Sequence, residues 1–138
     1  PKPVSTANYF AGRKVVLFSV PGAFTPTCSA RHLPGYIEQG DALRAKGVDA
    51  IACTAVNDVF VMDAWGRAAG AEGIDMLADG NGDFVKALGL ELDATAFAMG
   101  HRGQRFALVA EDGVVTGLFV EGPGEFKVSA AEHMLSQL

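Results

Sequence analysis

The sequence predicts an α/β protein of three layers, helices on both faces of a mixed central sheet. Three observations predict it. Short apolar, β-branched runs alternate with helical patterns along the first two thirds of the chain. Two further such runs flank a tight turn late in the chain. A last helical segment closes the sequence.

The elements follow in order. Lys14 to Val20 (KVVLFSV) is a buried strand that stops at Pro21-Gly22. The loop PGAFTPT leads to a helical pattern from Cys28, which Pro34-Gly35 should kink or interrupt. Tyr36, Ile37, Leu43 and Ala45 continue that helix to Gly47, a C-terminal stop. Val48 to Val56 is a second buried strand. Asn57 or Asp58 caps a helix through Phe60, Val61, Ala64 and Trp65 to about Ala69. Ile74 to Ala78 is a third strand, and Asp83 to Leu88 a short helix ended by Gly89. Leu90 to Gln104 reads as irregular. Arg105 to Ala110 and Val114 to Val120 flank Glu111-Asp112-Gly113, a hairpin signal. Ser129 is expected to cap a last helix, Ala130 to Leu138.

The 138 residues fit one compact domain, and 49% of them are hydrophobic, enough for a core without staples. A net charge of −5 argues against a broad basic surface for nucleic acid or an anionic membrane. No apolar run is long enough to span a bilayer. No leader is visible, although a chain that begins Pro1 rather than Met is compatible with trimming. The two cysteines, Cys28 and Cys53, form no CxxC pair, and there are three histidines. A zinc site and a disulfide scaffold are therefore not expected, and a cysteine is either core filler or a reactive thiol.

Cys28 is the residue on which chemistry is expected. It follows a strand and a tight loop at a helix start, where free backbone N–H groups and the positive end of the helix dipole favour thiolate over thiol. Thr25, three positions earlier, offers a hydroxyl to the sulfur or to a bound peroxide oxygen. Pro21 and Pro26 stiffen the loop. Cleaving an O–O bond needs an anionic sulfur, a hydrogen-bonding frame and a positive group; Arg105 is the candidate for the last. Against this stand plainer readings: Thr25 or Thr27 as a helix cap, Arg105 as a solvated charge at a strand end. His32, four positions after Cys28, either serves peroxide entry or proton delivery or is a partly buried polar residue near the loop. His101 and His133 are read as surface residues. Phe24, Phe60, Trp65 and Phe84 are read as core or subunit contacts.

PGAFTPTC, Pro21 to Cys28, resembles the active-site loop of the peroxiredoxins, with its P-x-x-x-T-x-x-C pattern. SARHLPGYIEQ, CTAVNDVFVMDAWGRA, RFALVAEDGVV and EFKVSAAEHML resemble the type II, type-five-like branch, so the likeness runs from about Phe10 to Leu138. It implies a single thioredoxin-like peroxiredoxin domain over residues 1–138, without metal or organic cofactor. By position it makes Cys28 the peroxidatic cysteine, Thr25 its hydroxyl partner, Pro21 the shielding proline and Arg105 the arginine that holds thiolate and peroxide. The implied activity reduces hydrogen peroxide and small alkyl hydroperoxides through a cysteine sulfenic acid. Glutaredoxin/glutathione or thioredoxin would recycle it. A homodimer is implied too, with neither nucleic acid nor membrane as partner. The expected location is the cytoplasm, or an organelle if a transit peptide has been removed. Cys53, 25 positions after Cys28, matches a proposed resolving cysteine of the plant branch; the alternative is a core residue. The family usually carries a longer segment before FAGRKVVLF than the nine residues here. Competing functions are a peroxide-responsive redox sensor and a thiol-disulfide oxidoreductase, the latter disfavoured by the missing CxxC. A Cys–His hydrolase is more remote, lacking an oriented third partner.

Overall fold

In the computed structural model, which describes residues 1–138, β1 (Lys14–Ser19) is the centre of the sheet. It pairs in parallel with β2 (Ala50–Ala55), which pairs in parallel with β3 (Ile74–Ala78). On its other side β1 pairs antiparallel with β6 (Phe106–Glu111), followed by β7 (Val114–Val120). The order is β3-β2-β1-β6-β7. Every residue of β1 from Val15 to Ser19 is buried, as a strand covered on both faces must be.

The period of two along β1 divides the core. Val16, Phe18 and Val20 point into a cluster with Cys28, Leu33, Tyr36, Cys53, Trp65 and Met134. Leu17 points the other way, to Ala52, Val85, Phe106 and Leu108. The first cluster is roofed by α2 (Leu33–Glu38), α4 (Val59–Ala69) and α6 (Ala131–Gln137); α5 (Asp83–Leu88) contributes Val85 to the second. The remaining helices are α1 (Thr6–Phe10) and α3 (Gly40–Ala45).

Local chemistry explains most boundaries. The Asp58 side chain accepts from the Val61 amide at 2.8 Å and starts α4; Gly70, at φ +67°, ends it. The β6–β7 turn has Asp112 at φ +49° and Gly113 at φ +79°, the two positive angles a tight hairpin of this hand requires.

Some expectations need correction. Residues 90–104 are not irregular: β4 (Glu91–Asp93) and β5 (His101–Gly103) form a small antiparallel ribbon around a 3₁₀ turn, Thr95–Phe97. Three-residue strands are too short to show a period. Helix α1, capped by Ser5, was not expected. Ser129 does not cap α6; Ala130 occupies that position, and the Ser129 hydroxyl is committed elsewhere. Phe24 and Phe60 are exposed, at 53% and 73%, whereas Trp65 is core. No helix is long and apolar enough to cross a membrane.

Candidate active site

The loop after β1 is held from three sides. The Asn57 side-chain oxygen accepts from the Ala23 amide at 2.9 Å. Gly22 lies against Thr25, Met99 and Arg102; a Cβ there would come within 3.1 Å of Thr25 Cγ2 and 3.3 Å of Met99 Cε. Arg102 is itself anchored, donating to the Met99 and Val56 carbonyls at 2.7 and 3.0 Å. Within this brace Phe24 takes φ +64°, a conformation that a bulky residue rarely adopts.

A helix begins at Pro26, where a missing N–H costs nothing, and the Ser29 amide closes the first turn on the Thr25 carbonyl at 2.9 Å. Cys28 therefore sits in the first helical turn, at the positive end of the dipole. From Cys28 to His32 the helix widens into a π turn, with the Leu33 amide reaching back to the Cys28 carbonyl. Pro34 gives the reason: it has no N–H for the Ala30 carbonyl, and its ring crowds that carbonyl in a regular α turn. The expected kink is thus a local widening. It carries Cys28 and His32 inward together, both fully buried.

Arg105, just before β6, meets both. Its Nη2 donates to Cys28 Sγ at 3.1 Å and its Nη1 lies 2.7 Å from His32 Nδ1. His32 Nε2 lies 3.0 Å from the Ser129 carbonyl. A guanidinium only donates and a carbonyl only accepts, so Nδ1 carries the lone pair and Nε2 the proton. His32 is neutral in this arrangement. Burial and the Arg105 charge together push its pKa down to about 3.

The Thr25 hydroxyl donates to the Gly22 carbonyl at 2.7 Å, so its proton is directed at the loop and its oxygen remains an acceptor. Donation to the sulfur, one of the two roles expected of it, is not what this geometry contains. Pro21 is half-buried at the loop entrance. Cys53 lies in β2, opposite Phe18 of β1 and Met76 of β3, fully buried in the same cluster as Cys28. Both thiols are free. Burial, with the neighbouring Cys28, pushes the Cys53 thiol well up, partly opposed by Arg105. His101 is exposed and takes no part, and His133 packs its ring edge-on to Phe119.

Cys28, Thr25, Pro21, Arg105 and His32 are legible as candidates in the sequence; their supports are not. Asn57 reads there only as a helix cap. Trp65 donates through Nε1 to the Ser29 hydroxyl at 3.0 Å, next to the cysteine. Glu121, Phe126 and Ser129 come from the β7–α6 connection, whose turn-rich sequence EGPGEFKVS carries no local sign of the site.

The sheet order and the helices on both faces define a thioredoxin-like fold, with a buried thiol at a helix start beneath an arginine. The redoxin family model matches residues 1–135. The chain is 53% identical over 141 residues to the chloroplastic peroxiredoxin-2E-2 of Oryza sativa subsp. japonica, covering 99% of this chain and 63% of that one. It is 51% identical to peroxiredoxin-2B of Arabidopsis thaliana, covering 97% of this chain and 83% of that one. Among solved structures, reduced Prx3 from Vibrio vulnificus in complex with H2O2 superposes with a TM-score of 0.93 at 60% identity, over 95% of this chain and 82% of that one. The chain belongs to the redoxin family and, within it, to the peroxiredoxins. It spans less than two thirds of the length of the rice relative.

Proposed function

We propose that the protein is a thiol-dependent peroxidase in which Cys28 is the peroxidatic nucleophile. The observation that carries this reading is the Arg105 Nη2 to Cys28 Sγ contact at 3.1 Å, on a thiol in the first turn of a helix. A cation there stabilises the sulfur as an anion and the negative charge that develops on the departing oxygen.

The reaction has two halves. Cys28 thiolate attacks one peroxide oxygen; the S–O bond forms, the O–O bond breaks, and the departing oxygen leaves as water or an alcohol after taking a proton. Cys28 becomes a sulfenic acid and the peroxide is reduced by two electrons. A thiol then condenses with the sulfenic acid, releasing water and forming a disulfide, and a second thiol reduces that disulfide and restores Cys28. Thr25 serves as an acceptor for a peroxide O–H, since its own proton is directed at Gly22. Pro21 screens the loop entrance. Hydrogen peroxide and small alkyl hydroperoxides suit a sulfur that is fully buried at rest. The Vibrio protein bound to H2O2, 60% identical, supports that substrate class.

Glutaredoxin with glutathione, or thioredoxin, is the proposed source of reducing thiols, in a reducing compartment such as the cytoplasm. Cys53 is read as a core residue: it is fully buried and held in β2 between β1 and β3. Residues 1–138 act as one thioredoxin-like peroxiredoxin domain. The chain pairs with a second copy, and the exposed aromatic side chains Phe24, Phe60 and Phe97, at 53%, 73% and 80%, are the candidate contacts.

The test is turnover. Wild-type protein with glutathione and glutaredoxin, or with a thioredoxin system, consumes peroxide continuously, and Cys28→Ser does not. Near-normal consumption by Cys28→Ser rejects the reading; a single stoichiometric oxidation without turnover indicates a sensor instead.

A further inference from the structure

Arg105 makes no ion pair with a carboxylate, so nothing acidic in direct contact fixes its direction. Apart from the sulfur, the hydrogen-bond partner of its guanidinium is His32 Nδ1. A planar guanidinium held at one Nη has the other Nη fixed with it. A neutral acceptor orients the group without cancelling its charge.

His32 is held in turn by the Ser129 carbonyl, which also accepts from the Tyr36 hydroxyl at 2.7 Å. The Ser129 peptide is held by one atom. Glu121 Oε2 accepts from the Ser129 amide at 2.8 Å, from the Ser129 hydroxyl at 2.6 Å and from the Lys127 amide at 2.7 Å. Glu121 and Ser129 are both buried, and no buried side-chain polar atom lacks a partner. Burial works to raise the Glu121 carboxyl, and the bonds from Ser129 and the neighbouring amides outweigh it and hold it below its ordinary range. Between these bonds the loop folds Phe126 inward, edge-on to His32 at 5.0 Å and with its ring 5.8 Å from the Arg105 guanidinium carbon.

From this geometry we infer that Glu121 is a positioning residue for the reaction at Cys28: by clasping Ser129 it fixes His32 in the neutral, Nδ1-accepting form that aims Arg105 at the sulfur. The chain of contacts runs Glu121, Ser129, His32, Arg105, Cys28, and joins the β7–α6 connection to the active-site helix. The inference rests on the peroxidase reading and adds to it a set of residues that touch neither sulfur nor peroxide.

The two half-reactions separate this role from general support of the fold. Trp65, the one tryptophan, bonds next to Cys28 and offers a fluorescence probe of the two half-reactions, calibrated against mass-spectrometric oxidation of Cys28. Glu121→Ala is expected to slow oxidation of Cys28 by hydrogen peroxide by about tenfold to a hundredfold, the range that a misplacement of the order of an ångström can cost. Reduction of the oxidised protein by glutathione and glutaredoxin should stay unchanged. Glu121→Gln, which keeps an oxygen for the same donors, should recover most of the rate. If Glu121→Ala does not fold, Glu121→Asp, which withdraws the carboxylate by one methylene from the same donors, supplies the second variant and should slow oxidation by a smaller factor with reduction unchanged. The inference is overturned if Glu121→Ala, or in its place Glu121→Asp, oxidises at the wild-type rate, or if both half-reactions slow together. A wild-type protein that does not react with peroxide would instead overturn the peroxidase reading.

Discussion

Arg105 Nη2 stands 3.1 Å from Cys28 Sγ, although 77 positions separate the two residues in the chain. The contact exists because β6 pairs antiparallel with β1: Phe106, next to Arg105, is opposite Ser19, the last residue before the loop that leads to Cys28. The sheet register therefore sets the distance between the cation and the sulfur.

Replacing that cation should be costly. Arg105→Gln is shorter, keeps an amide donor and removes the charge. Loss of a charge-stabilising donor at a reacting centre costs about a hundredfold to a thousandfold. The expected result is a fall of that order in kcat/KM for peroxide with KM for the reductant unchanged, measured by coupled turnover. A variant within a few-fold of wild type would exclude Arg105 from the chemistry.

Thr25 separates two roles of one hydroxyl. Thr25→Ser keeps both the donor to Gly22 and the acceptor lone pairs, and should retain activity to within about threefold, an effect of well under 1.4 kcal/mol on the barrier. Thr25→Val keeps the shape and loses both, and should fall by about tenfold or more, since the Gly22 carbonyl and a peroxide proton each lose a partner. Equal rates for the two variants would assign Thr25 to capping alone.

For Cys53 the expectation is mild. Cys53→Ala leaves a small cavity under β1 and should cost about 1 kcal/mol in urea unfolding. Peroxide turnover with glutathione and glutaredoxin should persist. Loss of activity with every reductant would make Cys53 an obligatory resolving thiol.

Acid should weaken the fold through His32. Its pKa lies near 3 when folded and 6.5 is its ordinary value. Between those limits the unfolded chain binds a proton that the folded chain does not, so stability falls as pH drops through the window, by at most about 1.4 kcal/mol per unit. Glu121 acts in the same direction: its carboxyl is held low, so its contribution is present above the ordinary carboxylate range and fades on acidification. Urea midpoints between pH 7 and pH 5 should decline in wild type and decline less in His32→Asn. Identical slopes would show that His32 is not the group responsible.

The proposed pairing of two copies depends on exposed aromatic side chains. Phe60→Glu places a charge on one of them without touching the site and should give a monomer by analytical ultracentrifugation where wild type gives a dimer. A dimer that survives the substitution would locate the contact elsewhere.

Much of this was legible in the sequence because it is local. Ile74–Ala78, Asp83–Leu88 and Val114–Val120 stand where period, turn residues and glycine stops put them. Cys28, Thr25 and Pro21 lie within eight consecutive positions. What was hidden is non-local or short. The β4–β5 ribbon has three residues in each strand. The π turn at Cys28–His32 needed Pro34 to be weighed against the helix before it rather than after it. Ser129 looked like a cap because serine before a helical run usually is one; its hydroxyl instead meets Glu121, eight positions earlier, and its carbonyl meets His32, 97 positions away. No pattern in a single sequence announces a buried carboxylate whose task is to hold a peptide.

The central claim is that the sulfur of residue 28 is the atom a peroxide oxidises. One equivalent of hydrogen peroxide, added briefly to reduced native protein in the presence of a sulfenic-acid trap, should label Cys28 and leave Cys53 unmodified when the peptides are weighed by mass spectrometry. Label on Cys53 alone, or an unlabelled Cys28 in protein that remains folded, would contradict it.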